Sequence, residues 1–357
     1  MTVCILGSGL SALTLAKALV NLNVFVEMVP STKNYKISHS RTIGISKSNY
    51  DYFNNNVINI DKIIWKIKEI EIFSDNLKNE RILNFKNENQ LFSIIKNYKL
   101  NKILIKTLSE SKFYKRIKLK KKSINFEKYD LIINTDYLSS FSKKFFNKKI
   151  IKSYNSLAYT TIINHDNIKN DVAVQIFTKK GPLAFLPISR NKTSIVYSIH
   201  NQKNKITENF NYFIQKYNSK YKIKKINKVE TFDLKSFVLR NYHHGNILAF
   251  GDLLHRIHPL AGQGFNMTIR DVNILIDIIK EKIDLGLSLD SSINSKFENK
   301  LRHKNYLFSN GIDLIHEFFN FERKTNNSIF SKSVKLLGKN SYLNKIFTQI
   351  ADKGINA

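Results

Sequence analysis

A chain of 357 residues carrying 58 lysines and arginines against 28 acids, a formal charge of +30, can bury one large core or two interleaved ones. A single cysteine, Cys4, excludes an intrachain disulfide, and no run of about 18 apolar residues offers a bilayer span. The lysines are spread throughout, densest at residues 115–122 ("KRIKLKKK"), and no nucleic-acid motif accompanies them. No nucleic-acid partner is therefore expected, whereas an anionic membrane surface requires only a basic face.

The chain opens on a strand-like run, "TVCIL", followed by Gly7-Ser8-Gly9-Leu10-Ser11-Ala12, which is G-x-G-x-x-A. Leu13, Ala16, Leu19 and Val20 continue at helical spacing, residues 24–28 read as the next strand, and Glu27 stands twenty residues beyond Gly7. This is the dinucleotide fingerprint in its strand, turn, helix, strand context. Glycines let backbone approach a pyrophosphate, the helix N-terminus offers free N–H donors, and the acid suits a ribose hydroxyl. No basic leader precedes the run, so a signal peptide is not expected.

Past Arg41, residues 46–54 read as a helix, residues 66–85 hold two strand-like runs including "EIEIFS", and residues 91–108 contain a helical pattern. A strand at residues 131–134 leads to Asp136, Tyr137, Ser139 and Ser140. From residue 159 to about 239, alternating runs such as "AVQIF", "LAFLPI" and "SIVYSI" predict an antiparallel sheet forming one wall of a substrate cavity. Residues 246–250 ("NILAF") read as a buried strand that presents Asp252 at its carboxyl end, where open α/β sheets bind ligands. After Pro259, Gly262 and Gly264 permit positive φ and close approach, and a long buried helix follows. Its first N–H groups would point at whatever Asp252 touches. Residues 292–349 read as helices, whose aromatics Phe318, Phe319, Phe321 and Phe330 suit either core packing or contact with lipid. Asp252, His255 and His258 do not make a His-Glu-x-x-His site, so no metal is expected.

The N-terminal fingerprint paired with the distant "GD…HP…GQGFN…D" resembles the single-component flavoprotein monooxygenases. More narrowly, "SRTIGIS" at residues 40–46 and "VAVQIFTKKGPLAFLPI" at residues 172–188 resemble the FAD-dependent aromatic-ring hydroxylases of ubiquinone biosynthesis. The resemblance implies an α/β fold like that of para-hydroxybenzoate hydroxylase. A Rossmann-like FAD-binding domain would come in three pieces (1–70, 91–158 and 240–290), interleaved with an antiparallel-sheet substrate domain (71–90 and 159–239) and followed by a C-terminal helical region (291–357).

Carried over position by position, the resemblance implies that Gly7, Gly9 and Ala12 line the FAD pyrophosphate, that Glu27 binds the adenosine ribose, and that Arg41 contacts the ribityl or pyrophosphate portion. Asp136 belongs to the middle cofactor motif and Asp252 to the ribityl site, while Pro259, Gly262, Gln263, Gly264, Phe265 and Asn266 would border the isoalloxazine ring. The implied reaction uses NAD(P)H to reduce FAD, then O2 to form a flavin C4a-hydroperoxide that attacks the ring of a polyprenylated phenol. No residue is implied as the acid or base for that phenol. Other quinone-biosynthesis proteins are the implied partners, with a cytoplasmic setting at or near the inner face of the cytoplasmic membrane. One segment departs from the family: Tyr137 replaces a glycine, and Lys143 and Lys144 stand where arginine is usual. A tyrosine resists positive φ, so this turn must differ in shape, and reductant binding is the property it touches. Two other readings stay open on the sequence, a different FAD oxidoreductase such as a prenyl reductase and a non-catalytic FAD-binding subunit.

Overall fold

The Thr2–Leu6 strand sits at the middle of a six-stranded sheet, which suits a run whose residues after Thr2 are all buried and apolar. The computed structural model describes residues 1–31, 38–117, 125–200, 210–257, 262–325 and 329–354. Within it Phe25–Val29 and Leu131–Asn134 flank the first strand in parallel, with Cys4 opposite both Glu27 and Ile132. Tyr114–Arg116 and Ile247–Ala249 extend the sheet in parallel, and His243–His244 adds an antiparallel edge. Parallel neighbours require crossovers, and the Leu10–Asn21 helix is the first of them. Ala12, Ala16 and Ala18 let that helix lie close to the sheet, where it shares one core with the Asn97–Ser109 and Gln263–Asp284 helices.

A nine-stranded sheet holds the expected substrate segments together with Lys149–His165 as a whole. That strand, 17 residues long, is the spine of the sheet: it pairs antiparallel with Glu230–Leu239 on one side and Lys192–His200 on the other. Gly181–Ser189 and Val172–Thr178 continue the antiparallel order. The hairpin of Glu69–Ser74 and Glu80–Lys86 is then added through a parallel pairing of Glu69–Ser74 with Val172–Thr178. His255–Arg256 closes the other edge against Phe237 and Val238. The residues just after Asp252 are thereby stitched into the substrate sheet.

A third sheet, of Thr42–Ser46, Phe92–Lys96 and Ile64–Ile67, supports the Arg41 loop and the Lys47–Asn56 helix. The helical pattern expected within residues 91–108 begins only at Asn97, because "FSIIK" before it pairs as a strand with both neighbours. The chain continues through helices at Ser292–Thr325, Ile329–Lys339 and Ser341–Lys353. The last of these returns to the first domain. The Ser48 N–H donates to Asp352 Oδ1 at 2.8 Å, the Ser46 and Ser48 hydroxyls donate to the Asp352 carbonyl at 2.9 and 3.0 Å, and Gln263 Nε2 donates to the Ala351 carbonyl at 3.1 Å.

Candidate active site

A cleft of about 1500 Å³ is lined by residues of both large sheets and of the C-terminal helices. On its polar side Gly7, Ser8 and Gly9 meet Arg41, Asp136, Asp252 and the Gly262–Phe265 turn. Chain segments remote in sequence are brought to one wall.

The turn after the first strand is shaped by necessity. Gly7 takes φ +113°, and a Cβ there would stand 2.2 Å from Thr135 Oγ1, itself fixed by donating to the Leu6 carbonyl at 2.9 Å. Gly9 caps the Leu10–Asn21 helix with no side-chain cap, no acid in the first turn and open space where its Cβ would be. The first intrahelical bond runs from the Leu13 N–H to the Gly9 carbonyl, so the earlier N–H groups are free for an anion. Ala12 is fully buried behind this turn and serves helix packing.

At the other end of the cleft, Gly262 takes φ +65° and caps the Gln263–Asp284 helix, again without a side-chain cap or an acid in its first turn. A Cβ at Gly262 would touch the Gly44 backbone at 3.6 Å. Gly264 differs from the expectation. It is helical, is not among the positive-φ glycines, and its Cβ position has only Ile257 Cγ1 at 4.0 Å, because the chain has already entered the helix there. Gln263 and Phe265 line the cleft, and Phe265 also packs toward Phe53. Asn266 is outside the lining and fully buried: its Oδ1 accepts from the Ser46 N–H at 3.0 Å and from Asn49 Nδ2 at 3.2 Å, and its Nδ2 donates to the Gly44 and Gly262 carbonyls at 3.3 Å. It holds the helix start against the third sheet. Pro259 and His258 lie outside the described residues.

Asp252 follows Gly251, whose φ is +62°, in a short 3-10 turn at the end of Ile247–Ala249. Its carboxylate is exposed in the cleft and has no hydrogen-bond partner among the described residues. Arg41 is likewise exposed in the lining and pairs with no carboxylate among them. Its loop is anchored from below, the Ser40 hydroxyl donating to Glu230 Oε2 at 2.8 Å and the Ser38 hydroxyl bonding the same oxygen.

The middle motif keeps its place with altered means. Tyr137 lines the cleft without positive φ, and the turn is held instead by Asp136, whose N–H donates to Asn134 Oδ1 at 3.0 Å and whose Oδ1 accepts from the Leu138 N–H at 3.0 Å. Ser139 then caps the Ser140–Phe145 helix. Lys143 and Lys144 stand exposed on that helix, outside the cleft lining.

Glu27 is not among the cleft-lining residues. It pairs opposite Cys4 on the sheet face that carries Tyr129, and its Oε2 accepts from Lys128 Nζ at 2.6 Å and from the Tyr129 hydroxyl at 2.5 Å. Burial opposes its charge, but Lys128, Tyr129 and Lys115 together hold its carboxyl below the usual carboxylate range. The carboxyl end of the same strand leads to Ser31, which does line the cleft, as do Tyr114 and Arg116 from the neighbouring strand. Arg116 was concealed in the sequence by the lysine run around it. His255, also in the lining, directs Nε2 at the buried carboxylate of Asp271, whose other oxygen accepts from Asn305 Nδ2 at 3.2 Å.

The opposite wall is apolar: Ala173, Val174, Ala184, Leu186 and Val196 from the nine-stranded sheet face Phe308, Ile312, Phe318 and Phe319 from the Ser292–Thr325 helix. An elongated, anionic dinucleotide fits the polar side, where two uncapped helix starts, one at each end, are separated by Arg41, Asp136 and Asp252. Gly9, with open space where a side chain would be, leaves room for backbone contact.

Comparison with known proteins agrees with that fit. The family model for an FAD binding domain matches residues 164–284. The 3-demethoxyubiquinol 3-hydroxylase of Escherichia coli (strain K12) is 29% identical over 161 residues, covering 43% of this chain and 41% of that protein. The mitochondrial ubiquinone biosynthesis monooxygenase COQ6 of Schizosaccharomyces pombe is 24% identical over 275 residues, covering 63% and 57%. The chain thus spans about half the length of the curated relatives it matches. Among solved structures, p-nitrophenol 4-monooxygenase PnpA from Pseudomonas putida DLL-E4 superposes with a TM-score of 0.78 at 12% identity, covering 100% of both chains. HpxO of Klebsiella pneumoniae, solved with FAD, gives 0.78 at 10% identity and covers 99% of each. At such identities the likeness is one of fold, and the fold is the one expected from the sequence.

Proposed function

The chain belongs to the FAD-dependent hydroxylases of ubiquinone biosynthesis, and on that premise we propose that it hydroxylates the aromatic ring of a polyprenylated phenol with O2 and NAD(P)H. The observation that carries this reading is a cleft with one wall built for an anionic dinucleotide and the other for a hydrocarbon.

Bound FAD supplies the reductive activation of oxygen, chemistry that no side chain provides. The protein's part is position and charge. The free N–H groups at the Leu10–Asn21 helix start, after Gly7 and Gly9, would hold the pyrophosphate, with Arg41 adding a cation. Asp252, a carboxylate without a protein partner, would accept hydrogen bonds from ribityl hydroxyls. The Gly262 turn and the helix behind it would border the ring, where a helix N-terminus stabilises developing negative charge without reorganising. The middle motif's place in the lining, through Asp136 and Tyr137, is where a reductant would be affected by the altered turn.

On the apolar wall, each buried methylene of a prenyl tail contributes about 0.8 kcal/mol, so a tail of several units anchors the phenol strongly. Excluding water from the reacting face follows from the same lining. A substrate of that kind resides in lipid, which places the enzyme's work at a membrane surface.

The test is direct. Purified protein reconstituted with FAD and given NAD(P)H, labelled oxygen gas and a short-chain prenylated phenol should return a product carrying one labelled oxygen atom by mass spectrometry. Reductant consumption without label in any product, or a protein that takes up no FAD, would overturn the reading.

A further inference from the structure

Five of the cleft's apolar lining residues, Leu314, Ile315, Leu337, Phe347 and Ile350, are at the same time exposed to solvent. They come from all three C-terminal helices, Ser292–Thr325, Ile329–Lys339 and Ser341–Lys353, so these helices form an apolar rim where the cleft meets solvent. The apolar surface continues beyond the rim on the last two helices to Leu336, 68% exposed, and Tyr342, 71% exposed. An exposed patch of large apolar side chains, continuous with a cavity, marks a surface that something covers.

The charge beside the patch identifies what. The last two helices carry five lysines and one carboxylate, Asp352, and that carboxylate is turned inward to the Ser48 N–H. Lys335 is engaged with Glu80, while Lys332, Lys339, Lys345 and Lys353 are exposed. Helical spacing places Lys332, Leu336 and Lys339 on one face, and Phe347, Ile350 and Lys353 on another. Apolar side chains flanked by lysines that can extend to phosphate are the pattern of a helix lying in a lipid interface. A second copy of the chain would instead bring lysine against lysine.

We propose that the exposed face of the three C-terminal helices docks on an anionic bilayer, seating the apolar mouth of the cleft against the lipid. That the cleft then draws its substrate straight from the bilayer rests on the function proposed above; the docking itself rests on the surface alone. Because Ala351 and Asp352 are bonded to Gln263 and to Ser46 and Ser48, the lipid-facing helix is also tied to the turn that would border the flavin.

The experiment is co-sedimentation of the full chain, loaded with FAD, with vesicles of phosphatidylcholine alone and of equal parts phosphatidylcholine and phosphatidylglycerol. The protein should pellet with the phosphatidylglycerol vesicles, stay largely in solution with phosphatidylcholine, and be released by added salt. The L336S/Y342S variant should lower the partition coefficient by about tenfold or more, since both side chains lose their apolar contact with the lipid. A second variant, K339E/K345E, should abolish the preference for the anionic vesicles. Both pairs lie on the exposed surface, and an unchanged melting temperature and flavin content verify that each variant folds. Wild-type protein that remains in solution with phosphatidylglycerol vesicles overturns the proposal, as do variants that bind as well as wild type. A concentration-dependent dimer that L336S/Y342S dissolves assigns the face to a protein interface and overturns it equally. Sedimentation reads no turnover, so this outcome and that of the labelled-oxygen test are independent.

Discussion

Gly251 lies so close to Ser11 that a Cβ on the glycine would stand 2.5 Å from the serine Cβ. The turn carrying Asp252 is thus pressed onto the first turn of the helix that follows Gly9, and the two motifs legible at opposite ends of the sequence become one surface. Gly251 is doubly constrained, since its φ of +62° is itself costly for any residue with a side chain.

Gly251→Ala should therefore be among the most damaging single-methyl changes in the chain. The backbone conformation alone costs about 1–3 kcal/mol, before the clash with Ser11 is relieved. A melting temperature lower by several degrees and a reduced flavin-to-protein ratio are expected. Gly264→Ala, in a helix with only an ordinary 4.0 Å contact, should leave the melting temperature nearly unchanged. Thermal melts of the two variants side by side check the contrast.

Asp252→Ala removes a carboxylate that no described residue satisfies, so the fold should persist while FAD occupancy falls. Absorbance of the purified protein measures it. A flavin-to-protein ratio equal to wild type would remove Asp252 from the cofactor site.

Glu27→Gln separates two roles for one residue. Held by Lys128 and Tyr129, and placed outside the cleft lining, Glu27 should matter to stability and not to flavin content. Its carboxyl lies below the usual carboxylate range in the fold, so its charge stabilises the protein above the unfolded-chain value, and that contribution is lost as pH falls through the folded value. The stability gap between wild type and Glu27→Gln should be present at neutral pH and narrow on acidification, as denaturant titrations at several pH values would register.

Asn266→Leu fills the same space and breaks four hydrogen bonds, leaving the Ser46 N–H buried without its partner. A loss of about 2 kcal/mol is expected, read as a lower urea midpoint, together with weaker FAD retention because the Gly262 turn loses its anchor.

The glycine-rich turn and the strand leading to Asp252 were readable because local chemistry enforces them: a turn that needs positive φ at Gly7 and Gly262 names its own residues. The antiparallel wall was readable for the same reason, through strict alternation in runs such as Val172–Thr178. Glu27 misled because a count of twenty residues says nothing about strand parity. One position decides which face a strand residue occupies, and here Glu27 turns toward Lys128 and Tyr129, partners a hundred residues away. Gly264 misled because the helix begins one residue sooner than the glycine spacing suggests. The return of Ala351 and Asp352 to the Gly262 turn left no trace in periodicity, since it is made by backbone carbonyls, which every residue possesses.

The cofactor wall draws on Gly9, Arg41, Asp136, Asp252 and Gly262, each delivered by a different part of the chain. A site so assembled cannot exist on a partly synthesised polypeptide, and its distant pairings make it slow to form. Flavin would then be captured only by completed molecules, adding its binding free energy to the native state alone. In a cell short of riboflavin, the first symptom would accordingly be a falling amount of this protein, ahead of any change in the rate at which each surviving copy works.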